Sequence, residues 1–125
     1  MEIIASVFVI LAVALHIYIW ILESFLWTKP ATTKTFNTTS EFAHASKTLA
    51  FNQGFYNLFL AIVAGIGLVF LLSGHMDSGK ALLFGGLGSM VLASFVLIIS
   101  DRTKLRAAFV QFIAPAIALV FLLFV

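Results

Sequence analysis

Four long apolar segments dominate the pattern of hydrophobic and polar positions along the chain. They extend over Ile3 to Trp27, Leu49 to Leu72, Ala81 to Ser100 and Ala107 to Val125. A helix of about 20 apolar residues spans the hydrocarbon core of a bilayer, and each segment is about this long. The segments are continuous, whereas the strands of a membrane barrel alternate apolar and polar positions. The sequence therefore predicts an all-α polytopic membrane protein with four transmembrane helices in an antiparallel bundle.

The polar segments between the apolar ones predict how the helices are connected. Residues 28–48 form the one sizeable loop, in which Thr38 to Glu41 has the pattern of a helix capping box. We therefore predict a short interfacial helix over about 40–47 that runs on into the second apolar segment. The other two connections are short enough to make neighbouring helices antiparallel. They are residues 73–80 and 101–106.

Composition excludes several classes of protein. Hydrophobic residues make up 62% of the chain and charged residues 10%, whereas a soluble domain is about half apolar and a quarter charged. The absence of cysteine excludes a disulfide framework and a thiol nucleophile. The sequence has no nucleotide-binding loop, and its three histidines fall at three different depths. We therefore predict one membrane domain with no metal site, no cofactor and no nucleic acid partner.

The few charges predict how the helices are oriented. Six of the seven basic residues fall in the first and third loops, and the seventh, Lys80, falls in the second loop. Because loops rich in Lys and Arg stay in the cytoplasm, we predict a multi-pass protein of the cell membrane with loops 28–48 and 101–106 inside and both termini outside. The six basic residues are Lys29, Lys34, Lys47, Arg102, Lys104 and Arg106.

Glu23 is the one charged residue that lies within an apolar segment. A carboxyl group in a membrane helix is costly unless it is paired, protonated or hydrated, which makes Glu23 a candidate functional residue. His16 lies seven residues earlier, on the same stripe of the helix and about 10 Å away. Both also have structural explanations, since Glu23 is one turn from the interface at Trp27 and a buried histidine often makes only a local hydrogen bond.

The second apolar segment begins with a dense polar cluster: Asn52, Gln53, Tyr56 and Asn57. Residues four positions apart are neighbours on a helix, so we expect this cluster to cover one side of it. The first two helices are antiparallel, and residues equally far from their loop lie at equal depth. This places Glu23 level with Asn52 and Gln53, and it brings Asn57 towards the level of His16.

We therefore predict a polar intramembrane pocket between the first two helices, which Gln111 and Ser100 close. Its ligand would be a small polar or lipid-like molecule in addition to the surrounding membrane lipid. The alternative for the same residues is a hydrogen-bond network that only holds the helices together. The predicted ligand-binding residues are His16, Glu23, Asn52, Gln53, Tyr56 and Asn57.

The third apolar segment carries a ridge of small residues at every fourth position, formed by Gly85, Ser89 and Ala93. Small residues at this spacing let helix backbones approach closely. Packing within the bundle explains this ridge at least as well as a homo-oligomer does.

Two stretches of the chain resemble the signatures of a known family. They are LHIYIWILE at 15–23 with FLWT at 25–28, and LAFNQGFYN at 49–57 with FLA at 59–61. Over its whole length the chain is similar to the family catalogued as domain of unknown function 1304, which implies a small four-helix integral membrane protein with no assigned reaction or ligand. Ser24 departs from the pattern, because a bulkier apolar residue is expected there. The family's motif residues fall on His16, Glu23, Asn52, Gln53, Gly54, Tyr56 and Asn57.

A weaker resemblance is to small multidrug-resistance exporters, which are also four-helix chains with an acidic residue in the first helix. Glu23 lies near the cytoplasmic end of its helix instead of the middle, and the surrounding aromatic pattern differs. Three classes of function are consistent with the sequence. The chain binds or transports a small molecule, or it is an intramembrane isomerase or hydrolase with His16 and Glu23 as acid and base, or it is an accessory membrane subunit.

Overall fold

The four apolar segments form four long helices in the computed structural model, which describes all 125 residues. The chain contains no strand, and its four long helices have the length and hydropathy of membrane spans. The all-α prediction with four spanning helices is confirmed. The helices are α1 (Glu2–Phe25), α2 (Pro30–Thr35), α3 (Ser40–Ala45), α4 (Lys47–Leu72), α5 (Met76–Ser100) and α6 (Leu105–Leu122), with a 3-10 turn at Arg102–Lys104.

The spanning helices form a ring in which each packs against two neighbours. Helices α1 and α5 both contact α4 and α6. The first loop and the α5–α6 connection meet at one end of this ring, where the Lys104 ammonium donates hydrogen bonds of 2.7 Å to the backbone carbonyls of Phe36 and Asn37. All six basic residues of these two loops therefore lie at the same end. We call this end of the bundle the basic end.

The other half of the bundle contains a continuous apolar core, and we call it the packed half. Its residues come from the start of α1, the end of α4, the first part of α5 and the end of α6, which are the portions of each helix far from the basic end. They are Ala5, Val9, Ala12, Ala64, Leu68, Leu71, Leu83, Leu87, Met90, Ala114, Ala118 and Leu122.

Glycines bring α4 and α5 into close contact in the packed half. A Cβ atom added to Gly79 would lie 2.6 Å from the backbone nitrogen of Leu71, and one added to Gly86 would lie 3.2 Å from that of Ala64. Lipid is as apolar as the helices, so their association depends on such close packing and not on the hydrophobic effect. The two helices therefore touch through their backbones.

The predicted small-residue ridge does not form this contact. Gly85 and Ser89 are exposed, and a Cβ atom added to Gly85 would meet nothing within 4 Å. The residue next to Gly85, Gly86, is turned by about 100° around the helix and makes the contact with α4 instead. Packing within the bundle therefore does not explain the ridge.

The first loop folds into two short helices, of which the sequence predicts one. Pro30 begins α2, where its missing N–H group would have no helical partner in any case. Helix α3 begins after Thr39, whose hydroxyl accepts a hydrogen bond of 3.1 Å from the Phe42 N–H. The predicted capping residue, Thr38, is therefore wrong by one position. Helix α4 follows α3 after Ser46 alone, as predicted.

The last two connections are tighter than the apolar segments suggest. Helix α5 begins at Met76 and not at Ala81. Its first turn is polar and therefore lies outside the apolar segment, and Asp77 in this turn is favoured by the helix dipole. The Asp101 carboxylate caps the turn before α6. It accepts a hydrogen bond of 2.9 Å from the Thr103 N–H and one of 2.6 Å from the Thr103 hydroxyl. These two bonds lower the pKa of the Asp101 carboxyl below its ordinary value.

Candidate functional site

Glu23 meets α4 at Asn57, whose amide donates a hydrogen bond of 2.7 Å to its carboxylate. Side chains on a helix point towards its N-terminus. The Glu23 side chain therefore points away from the basic end and the Asn57 side chain points back towards it, so the two meet across antiparallel helices. The same amide also lies 3.3 Å from the carbonyl of Gln53. No ion pair involves Glu23.

Ser24 and Gly54 mark a very close approach of α1 to α4. The Ser24 hydroxyl donates a hydrogen bond of 2.9 Å to the Phe51 carbonyl. A Cβ atom added to Gly54 would collide with the Ser24 hydroxyl and lie 3.1 Å from the Glu23 Cβ. The bulkier residue expected at position 24 would separate the helices at this point. The serine therefore suits the short distance across which Glu23 reaches Asn57.

A cavity of about 250 Å³ opens beside Glu23 at the basic end, and we call it the vestibule. All four spanning helices and both loops at this end contribute to its wall. The lining residues are Glu23, Trp27, Phe36, Thr38, Phe42, Gln53, Asn57, Ala93, Leu97, Lys104, Ala107 and Gln111.

The vestibule contains polar groups that no protein atom satisfies. One carboxylate oxygen of Glu23 bonds to Asn57, while the other has no protein partner and is not enclosed. The side-chain amides of Gln53 and Gln111 make no hydrogen bonds within the protein. The one cation in the wall, Lys104, is held by the two carbonyls of the first loop. One Glu23 oxygen and the side-chain amides of Gln53 and Gln111 therefore have no hydrogen-bond partner within the protein.

Aromatic side chains form the apolar part of the vestibule wall, and one of them is held in place by a hydrogen bond. The Trp27 indole N–H donates a 3.0 Å bond to the Ser46 hydroxyl, and the Trp27 ring lies 5.2 Å from that of Phe36. Phe42 completes this part of the wall. The site thus combines an acidic acceptor, amides and aromatic faces in one cavity.

Comparison with protein families places the chain in a group whose function is not assigned. The family model described as protein of unknown function (DUF1304) matches residues 10–123. The chain belongs to the DUF1304 family. The matched range contains every residue that lines the vestibule. No curated protein and no solved structure matches the chain.

The predicted site residues of this DUF1304 protein divide into two groups. Glu23, Gln53 and Asn57 line the vestibule, whereas Asn52 and Tyr56 do not. Asn52 and Tyr56 lie on an outward groove with Phe51, Phe55 and Phe59, and Tyr56 is 64% exposed. Successive residues on a helix are turned by about 100°, so the two pairs of polar residues point in different directions. The four residues span an arc of about 140° on α4, and only the Gln53 and Asn57 end of this arc faces the vestibule.

His16 also lies outside the vestibule. Its side chain is 1% exposed, and its Nδ1 donates a 2.9 Å hydrogen bond to the Ala12 carbonyl one turn earlier in the same helix. A hydrogen bond of this kind within one helix is the purely structural role that the sequence suggests as the alternative for a buried histidine. The DUF1304 chain therefore brings His16 neither to Glu23 nor to the vestibule wall.

The structure also tests the two residues expected to close the pocket. Gln111 lines the vestibule as predicted, but Ser100 bonds to the Leu97 carbonyl and stays outside it. Sequence reasoning missed the wall residues that come from the first loop of the DUF1304 protein. A usable signal was present, because Phe36 and Phe42 are isolated apolar residues in a polar loop.

Proposed function

We propose that this protein binds a small amphipathic molecule whose head donates hydrogen bonds to Glu23 inside the vestibule. The observation that supports the proposal is the free carboxylate oxygen of Glu23, which shares one cavity with the unpaired amides of Gln53 and Gln111. A polar group that faces an open cavity pairs either with water or with a bound molecule. A ligand that offers hydrogen-bond donors and acceptors would pair with all three groups at once.

The size and the wall of the vestibule narrow the class of ligand. Its volume of about 250 Å³ lies below the range of about 300–1,000 Å³ that is typical for drug-sized molecules. The faces of Trp27, Phe36 and Phe42 suit either an apolar chain or the cation of an amine. We therefore favour a short aliphatic amine or alcohol over a carboxylate, whose head cannot donate a hydrogen bond to Glu23.

Binding suits the geometry better than passage through the bundle or chemistry on the ligand. The packed half fills the interior beyond the vestibule, with Leu83, Leu87 and Leu122 fully buried. Transport across the membrane would require these residues to separate. An enzyme using His16 with Glu23 would need His16 at the ligand, yet its ring lies outside the vestibule. An accessory subunit would need no ligand at all.

The proposal places the vestibule on the cytoplasmic side of the cell membrane. Six basic residues at the basic end against Lys80 elsewhere support this orientation, since Lys- and Arg-rich loops are retained inside. A reporter fused after Val125 is expected to be active outside the cell, because the last helix then ends there. A reporter active in the cytoplasm would overturn the orientation without affecting ligand binding.

The experiment compares three six-carbon probes that differ only in their heads: hexylamine, hexanol and hexanoate. Thermal unfolding of the protein in lipid nanodiscs is followed with each probe. We expect hexylamine or hexanol to raise the unfolding temperature and hexanoate to leave it unchanged. In Glu23→Gln the carboxylate is lost while a carbonyl still accepts the Asn57 hydrogen bond. This variant should fold as stably as the natural chain and lose most of the shift caused by hexylamine.

A matched control separates binding in the vestibule from partition of the probes into lipid. Gln53→Leu and Asn52→Leu change adjacent residues of α4, of which Gln53 lines the vestibule and Asn52 does not. We expect Gln53→Leu to weaken the response and Asn52→Leu to preserve it. Equal responses from the natural chain, Glu23→Gln and Gln53→Leu would overturn the proposed function.

A further inference from the structure

A second cavity, of about 310 Å³, lies between α1 and α6 below α2 and shares Phe36, Ala107 and Gln111 with the vestibule wall. We call it the lateral groove. Leu15 and Tyr18 of α1 and Val110 of α6 form its apolar part, which extends from the basic end towards the middle of the bundle. Lys34 of α2 and Arg106 of α6 line its other end. The groove thus changes from apolar to cationic along the direction in which a bilayer changes from acyl chains to headgroups.

The two cations of the lateral groove have no counter-charge in the protein. Neither Lys34 nor Arg106 takes part in an ion pair or donates a side-chain hydrogen bond, and no acidic residue lines the groove. A smaller adjoining cavity of about 240 Å³ is lined by Lys34, Lys104 and Arg106, again without an acid. Asp101, the nearest acid along the chain, is occupied by its bonds to Thr103.

We propose that the lateral groove binds one anionic phospholipid, with its phosphate between Lys34 and Arg106 and an acyl chain along Leu15, Tyr18 and Val110. Arginine binds phosphate oxygens in a bidentate manner, and basic pockets at the membrane surface attract anionic headgroups. A zwitterionic lipid brings its own cation close to two others, which is unfavourable. A free phosphate ion would leave the apolar part of the groove unused.

The charge part of the proposal is tested by native mass spectrometry of the full chain with phosphatidylglycerol, phosphatidylcholine or glycerol phosphate. We expect one retained phosphatidylglycerol and about tenfold weaker binding in Lys34→Gln/Arg106→Gln, since each cation near the surface contributes to anionic lipid binding. Lys29→Gln/Lys47→Gln removes the same charge from the same end outside the groove. This control should bind phosphatidylglycerol as the natural chain does.

The acyl-chain part is tested by filling the groove while keeping its charges. Val110→Trp places an indole in the lateral groove, whereas Val120→Trp alters a similarly exposed valine of the same helix outside it. We expect Val110→Trp alone to lose the lipid. Circular dichroism of each variant in phosphatidylcholine checks that the helices are intact. Glu23 lines the vestibule and not the lateral groove, so Glu23→Gln should leave the lipid bound even where it abolishes binding in the vestibule.

Several outcomes would overturn the inference. If Lys34→Gln/Arg106→Gln and Lys29→Gln/Lys47→Gln lost phosphatidylglycerol equally, only the overall charge of the basic end would matter for lipid binding. Retention of phosphatidylcholine as strongly as phosphatidylglycerol would remove the role of Lys34 and Arg106. Glycerol phosphate bound as tightly as the whole lipid would identify a soluble anion as the ligand and leave the apolar part of the groove without a function.

Discussion

The packed half and the vestibule are built from the same four helices and fill their interior in opposite ways. In the packed half, glycines bring backbones together and Leu83 and Leu87 leave no exposed surface. At the basic end the helices enclose a cavity with unpaired polar groups. Close packing resists changes of even one methylene group, whereas a cavity leaves room for a change in the side chains that line it. The chain therefore separates the part that holds the bundle together from the part available for binding.

The largest expected effect comes from adding one methyl group to the packed half. Gly79→Ala places a Cβ atom 2.6 Å from the Leu71 nitrogen, so α4 and α5 must move apart as rigid backbones. We expect a loss of about 2 kcal/mol in the free energy of unfolding, measured by reversible unfolding in mixed micelles.

Gly85→Ala is the matched control on the same helix. An added Cβ there meets nothing within 4 Å, and alanine favours the helix over glycine by up to about 1 kcal/mol. This variant should be unchanged or slightly more stable. If both variants lost stability equally, the close contact of α4 and α5 in the packed half would be refuted.

An intermediate effect is expected where α1 and α4 meet at the vestibule. Asn57→Ala removes the donor that satisfies one oxygen of Glu23, and hydrogen bonds between membrane helices contribute about 0.6–2 kcal/mol. We expect a loss of about 1 kcal/mol by the same unfolding measurement. Asn52→Ala, five positions earlier on the outward groove, should cost almost nothing. A larger loss from Asn52→Ala would show that the outward face of α4, not the Glu23 contact, stabilises this pair of helices.

The smallest effect on stability is expected at the contact between the two loops. Lys104→Met removes two hydrogen bonds that hold the first loop over the vestibule. Because water replaces these bonds at the end of the bundle, we expect a loss near the lower end of the net contribution of a hydrogen bond, about 0.5 kcal/mol. The natural chain has no cysteine, so Thr38→Cys supplies a single thiol in the vestibule wall for labelling.

We expect a water-soluble maleimide to react several times faster with Thr38→Cys/Lys104→Met than with Thr38→Cys alone. Lys29→Met in the same background is the control, because it removes a nearby charge that makes no contact with the α5–α6 connection. Equal labelling rates in all three proteins would show that Lys104 does not hold the loop. The vestibule would then be open regardless of this contact.

The difference between the two halves also explains how much the sequence predicts. The four spans follow from hydropathy alone, because backbone groups in lipid must be satisfied within a helix. Antiparallel depth counting leads correctly from Glu23 to the polar start of α4. It selects Asn52 and Gln53, one turn short of the actual partner Asn57, since it ignores the tilt of side chains towards the N-terminus of their helix.

The rotation of the helices and the fold of the first loop are harder to predict. Polar residues occur on two faces of α4, and nothing local distinguishes the face of Asn57 from that of Tyr56. The vestibule wall also depends on contacts between residues far apart in the chain, such as Lys104 with the Phe36 carbonyl, 68 positions earlier. Patterns within one segment contain no information about such pairs.

The contact of Ser24 with Gly54 has a mechanical consequence for this bundle. Because α1 and α4 leave no room there even for a Cβ atom on Gly54, we expect this contact to be the pivot of any tilt of α1 against α4. A tilt of about 5° would move Trp27 by about 0.4 Å but the start of α1, about 33 Å away, by about 3 Å. The contact is therefore close to the vestibule end of α1 and far from its packed-half end. We therefore expect any such tilt to displace the start of α1 far more than the residues around Glu23.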